Sequence, residues 1–241
     1  VVLKDRAAYV TGCVSYANWD RAGEKELAAI LEGKSARVQL GSLANRRRMM
    51  FTWTPDITAA PFREWVEVGS TMANGGWLFP GDLWVAPDGA AHVLWYEGPM
   101  PRRLRDERFP DVKLTHAIKH AMVRDGRVVH RGTLIEGGEG LADEIPQSIQ
   151  PRFQITPENR LFALYYVSGT NSAGNRVSEN RLVELLPDGT PGTPVVVPLE
   201  HPFRMAFTAT PRGGSPPSNL LDLFGVRVDG PPSTICYARV R

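Results

Sequence analysis

A strand–turn–strand unit recurs imperfectly along this chain, and it restricts the architecture more than any other feature. Gly81–Glu97 reads GDLWVAPDGAAHVLWYE, Pro151–Gly169 reads PRFQITPENRLFALYYVSG, and Arg204–Gly225 reads RMAFTATPRGGSPPSNLLDLFG. Each is a short apolar run reaching a proline (Pro87, Pro157, Pro211), then a polar turn and a second apolar run. The prolines stand 70 and 54 residues apart, room for a four-stranded sheet and its connections. Sheets fanned around an axis leave this kind of period in a sequence. The expectation is an all-β fold: a β-propeller of four-stranded antiparallel blades, one domain over residues 1–241.

Turn chemistry delimits the strands at Pro87-Asp88-Gly89, Asp125-Gly126, Pro187-Asp188-Gly189 and Asp229-Gly230. Between these turns, Asp82–Ala86, Ala91–Tyr96, Leu114–Val123 and Val128–Ile135 supply one blade. Arg152–Thr156, Leu161–Val167, Arg181–Leu186 and Pro194–Pro198 supply the next. Arg204–Thr210, Leu220–Val226 and Thr234–Arg241 give three strands of a further blade. Ala7–Tyr16, Arg48–Trp53 and Glu64–Gly69 read as the second to fourth strands of an earlier one. The blade pieces span about 1–70, 81–136, 151–198 and 204–241, two whole and two incomplete, which favours a piece of a longer propeller. Glu24–Leu31 (EKELAAIL) is rich in helix formers and predicts one short helix in an insertion after the first strand.

Composition narrows the function classes. With 241 residues and 42% apolar content, the chain can bury a substantial core. Basic and acidic residues nearly balance, 28 against 26, and no nucleic-acid-binding motif is present, so nucleic acid is not an expected partner. No apolar run reaches the length of a spanning helix, so no membrane partner is expected either. A Gly-rich phosphate loop, a paired-Cys motif, His-Glu-x-x-His and Gly-x-Ser-x-Gly are all missing, and no cofactor or metal is expected. Cys13 and Cys236 lie in apolar runs near opposite ends and read as buried free thiols, with a ring-closing bridge as the alternative.

Propeller geometry sorts the connections into two faces. Links between blades, and those from second to third strands, share one face: Asn18–Arg47, Gly69–Gly81, Glu97–Lys113, Gly137–Gln150 and Ser168–Asn180, all long. Tight turns such as Pro87–Gly89 and Asp125–Gly126 share the other. Long loops on one face of a rigid scaffold are where binding resides. Asp82 and Arg152 each lie five residues before their proline, and Arg204 lies seven before its own. Equal parity predicts that all three project from inner strands toward the axis. An inward Asp with two Args suits an anionic or hydroxyl-rich ligand, because guanidinium offers a fixed fork of donors. Trp19 and Trp77, in loop-face segments, are candidates for stacking on sugar rings.

Phe51-Thr52-Trp53-Thr54-Pro55-Asp56, followed by Pro61-Phe62-Arg63-Glu64-Trp65, resembles a degenerate Asp-box, the Ser/Thr-x-Asp-x-Gly-x-Thr-Trp motif between third and fourth blade strands. The chain thereby resembles the sialidase-like propellers with BNR repeats and, more loosely, the five-bladed glycoside hydrolases. The resemblance implies a carbohydrate-active protein, hydrolase or polysaccharide lyase, working on an acidic glycan in a secreted or periplasmic setting. The rival is a non-catalytic propeller that binds glycan or protein through the same loops. Hydrolysis calls for two carboxyl groups, and Asp82, Glu97, Asp143 and Glu144 are the candidates. Five-bladed hydrolases place acids at inner-strand starts, which favours Asp82 and then Glu144. A lyase would instead abstract a proton with His or Tyr, for which His116, His120 and His201 are available. Of these, His201 sits in a blade-to-blade link beside Arg204.

Overall fold

Runs of β-branched and aromatic residues between turn formers become strands. A computed structural model describes residues 1–14, 46–100, 102, 105–106, 109–148, 150–209, 215–231 and 233–241. The helix expected over Glu24–Leu31, like Trp19, lies outside the described residues. Blade one is β1 (Val2–Lys4), β2 (Ala7–Val14), β3 (Arg48–Thr54) and β4 (Val66–Ser70), in that spatial order. Blade two is β5 (Trp77–Val85), β6 (Ala91–Gly98), β7 (Thr115–Arg124) and β8 (Arg127–Gly138). In blade three, β9 (Glu144–Pro146) pairs with the far end of β11. The blade proper is β10 (Arg152–Ile155), β11 (Leu161–Thr170), β12 (Arg176–Leu185) and β13 (Val195–Val196). Blade four is β14 (Phe203–Thr208), β15 (Leu221–Arg227) and β16 (Cys236–Val240). All pairings are antiparallel, and the four sheets form a four-bladed β-propeller.

The expected count of two whole and two incomplete blades is corrected. Among the described residues, three blades have four strands or more and one has three. Val2–Lys4 pairs with Ala7–Tyr9 and completes the first blade. Three residues are too few to show a period, and the turn after them is made by Asp5 at a φ of 54°, not by glycine. The expected long connections also shrink. β5 begins at Trp77, and β11 and β12 pair as far as Thr170 and Arg176, so the link from Ser168 to Asn180 is mostly ladder.

Strands that are apolar on both faces must be covered twice, and this stacks the blades. Along β6, Ala91, Val93 and Trp95 enter the core shared with Met49, Phe51 and Val68 of blade one. Leu94 and Tyr96, one residue out of phase, enter the core shared with Phe153, Leu161, Ala163 and Tyr165 of blade three. β11 repeats the device: Ala163 and Tyr165 face blade two, while Leu164 packs with Phe203, Leu221 and Leu223 of blade four. Burying a side chain of this size stabilises by about 1.5–3 kcal/mol. Cys13 and Cys236 are half-buried free thiols, and burial raises the pKa of Cys13.

Candidate functional site

Inner strands begin where neighbouring blades crowd the axis, and charged groups there are tied down by backbone. Asp82 is 2% exposed; its carboxylate accepts from the N–H of Leu83 at 2.9 Å and of Phe153, in blade three, at 3.1 Å. Arg152, 5% exposed, donates to the carbonyl of Gly81 at 2.7 Å and lies 4.3 Å from the ring centre of Phe207. Asp82 and Arg152 are thus brought together, as a rivet joining blades two and three. Arg204 is exposed and departs from the parity expected of it, because a bulge shifts the register between Phe203 and Met205.

The other expected residues are dispersed. Glu144, in β9, forms an ion pair of 2.6 Å with Arg181, which also engages Glu179 at 2.6 Å. His201 is partly exposed in the link between blades three and four, with Nδ1 2.6 Å from Asp229. The Trp77 ring packs on Tyr96, centroids 5.2 Å apart, and is half-buried. Tyr96 meets His116 Nδ1 at 2.5 Å; burial drives the phenol pKa up and the imidazole pKa down.

A different pair of carboxyl groups does converge. Glu97 on β6 is opposite Ala117 on β7, and Ala117 is opposite Glu136 on β8. All three face blade one. The two glutamates therefore flank an alanine, too small to separate them, two inter-strand spacings or about 9.5 Å apart at the backbone. Both line a cavity of 70 Å³ at the loop end of blade two, with Lys113, Thr115 and Lys119. Glu97 and Lys119 also line an adjoining groove of 410 Å³ between β4 and the outer strands of blade two.

The environment of Glu97 differs from that of its partner. Burial raises its pKa; the Trp95 indole, donating to Oε1 at 2.8 Å, and the charge of Lys119 lower it, and the charge of Glu136 raises it. The net displacement is upward, toward the protonated form, whereas Glu136 is solvent-exposed. Gly69 holds the groove open from the side of blade one, since a Cβ there would stand 2.6 Å from the Trp95 ring. Glu97 was among the acids expected from sequence. Glu136 and Lys119 were not, because only the strand register reveals that they share a face.

Among the described residues, no group of three or more His, Cys, Asp or Glu is placed to hold a metal ion. Comparison of the chain with protein-family models, curated proteins and solved structures finds no match.

Proposed function

We infer that the protein acts on carbohydrate, as a glycoside hydrolase whose acid pair is Glu97 and Glu136. The supporting observation is the pair itself: two carboxyl groups over Ala117, one half-buried and shifted toward its neutral form, one exposed. Glycoside cleavage needs that asymmetry, a proton donor for the leaving oxygen and a carboxylate for the base. Glu97 is the donor and Glu136 the base. The Asp-box-like segment between β3 and β4 supports the same class.

A lyase is less well served. The Tyr96–His116 pair has its phenol pushed away from ionisation by burial, the wrong direction for a base. A non-catalytic glycan- or protein-binding propeller is favoured by one observation: Asp82 and Arg152, near the axis, are bonded into the blade interface.

The test is incubation with a panel of neutral and acidic polysaccharides, reading new reducing ends and, separately, the ultraviolet absorbance of unsaturated uronate. Hydrolysis predicts reducing ends without unsaturation, lost by about 10²-fold or more in Glu97→Gln and Glu136→Gln. Unsaturated product indicates the lyase. Binding without cleavage indicates the non-catalytic module.

A further inference from the structure

Many described arginines meet carboxylates, among them Arg6 with Asp56, Arg105 with Glu139, Arg124 with Asp88, Arg160 with Glu184, Arg181 with Glu144 and Arg239 with Asp222. Two cations in the groove beside Glu97 do not. Lys119 donates to the Thr133 hydroxyl at 2.8 Å. Arg131 donates through Nε to the carbonyl of Val68 at 2.9 Å and through Nη2 to that of Glu67 at 2.6 Å. All three acceptors are neutral, so both side chains are oriented while their charges stay uncompensated by any ion pair among the described residues. They face the same way, since Lys119 is opposite Thr133 and Arg131 opposite Ala121 on the surface turned to blade one. The carboxylate of Glu67, also lining the groove, is 3.4 Å from Arg48.

We propose that this groove is an anion subsite, in which Lys119 and Arg131 hold the carboxylate or sulfate of a sugar unit next to the one cleaved at Glu97. The proposal rests on the glycan reading above and adds the residues that select an acidic chain. The groove holds 410 Å³, within the range of small-molecule sites, and shares Glu97 and Lys119 with the cavity of the acid pair. Arg131 is fixed by two carbonyls of blade one, so its fork is pre-organised. Ordering has been completed before the ligand arrives. The Trp95 indole, on the groove floor, offers a fluorescence signal.

The experiment titrates the whole chain with a uronate oligosaccharide, a sulfated one and the uncharged parent, following Trp fluorescence and calorimetry at two salt concentrations. Inorganic sulfate is titrated in parallel. The affinity ratio of charged to uncharged ligand is expected to drop about tenfold in Lys119→Met and in Arg131→Met, and to recover largely in Lys119→Arg. Thermal melts confirm that each variant is folded. Uronate and sulfate arms distinguish the two anion sources. An unchanged ratio in both Met variants overturns the subsite and leaves the glycan reading standing. Failure of every oligosaccharide to bind overturns the glycan reading. In that case sulfate decides the subsite: saturable binding lost in Lys119→Met supports it, and no saturation refutes it.

Discussion

A carboxyl group acquires its chemistry from what surrounds it, and Glu97 shows this at the level of single contacts. The Trp95 indole N–H favours the ionised form and burial disfavours it, with burial prevailing. Replacing Trp95 with Phe removes the donor and so raises the pKa further. For a proton donor, activity is lost as pH rises through its pKa, so the basic limb of kcat/KM moves to higher pH in Trp95→Phe. An unmoved or acid-shifted limb would remove Glu97 from the donor role. Asp82 gives a contrasting expectation. Its two backbone bonds, made at 2% exposure, fit a structural acceptor, so Asp82→Ala costs about 2–4 kcal/mol in urea unfolding. The sequence draws attention to Asp82 because it opens the apolar run Asp82–Ala86, although β5 itself begins at Trp77. Nothing in the residue order around Glu136 shows that it shares a face and a cavity with Glu97 across Ala117.

Strands were most legible where local rules determine them. Asp125-Gly126 makes its two-residue turn with both φ positive, 49° and 73°, as that dipeptide requires. Bulges were not legible, since an extra residue leaves no mark on hydrophobicity; the one between Phe203 and Met205 resets the parity that counting back from Pro211 gives Arg204. Three strands of blade two carry a histidine cluster that sequence reading did not connect. His92 Nδ1 is 3.1 Å from His120 Nε2, and the His120 and His130 ring centres are 5.8 Å apart. Burial lowers His92 to about 4, with Asp88 opposing it and Arg124 and His130 reinforcing it. Burial, His92 and His130 lower His120 to about 3, against a hydrogen bond to the backbone of Gly189. The unfolded chain takes up protons near pH 6.5 that the folded rings refuse. Stability is therefore full above that pH and falls as pH drops toward 4, by about 3 kcal/mol for His92 alone. Urea midpoints at pH 7 and pH 5 check this, since ordinary carboxylates titrate lower. A His120→Leu variant flattens the slope; an unchanged slope would place the effect elsewhere.

At the scale of the whole molecule, blades cannot be treated as independent units, because each central strand belongs to two cores. Val93 and Leu94 are neighbours in β6, both 0% exposed, yet Val93 packs toward blade one and Leu94 toward blade three. The propeller was legible in sequence for the same reason: a strand apolar on both faces has to be stacked, and repeated strand–turn–strand units supply the stack. The placement of the site was less so, since it depends on where β4 stops covering blade two. Leu94→Ala is expected to cost about 2–5 kcal/mol, and Val93→Ala, which removes a smaller side chain, less. Because the cores share β6, fluorescence and far-ultraviolet circular dichroism should give one coincident transition in each variant. Two separate transitions in Leu94→Ala would mean that blades one and two persist without blade three. Function separates the two variants where stability does not. The Glu97 groove lies on the seam with blade one, lined by Val68, Gly69 and Trp95. Val93→Ala loosens that seam directly, so it should weaken ligand binding more than Leu94→Ala at temperatures where both remain folded. Equal weakening would show that the groove is held by the fold as a whole and not by the seam beneath it.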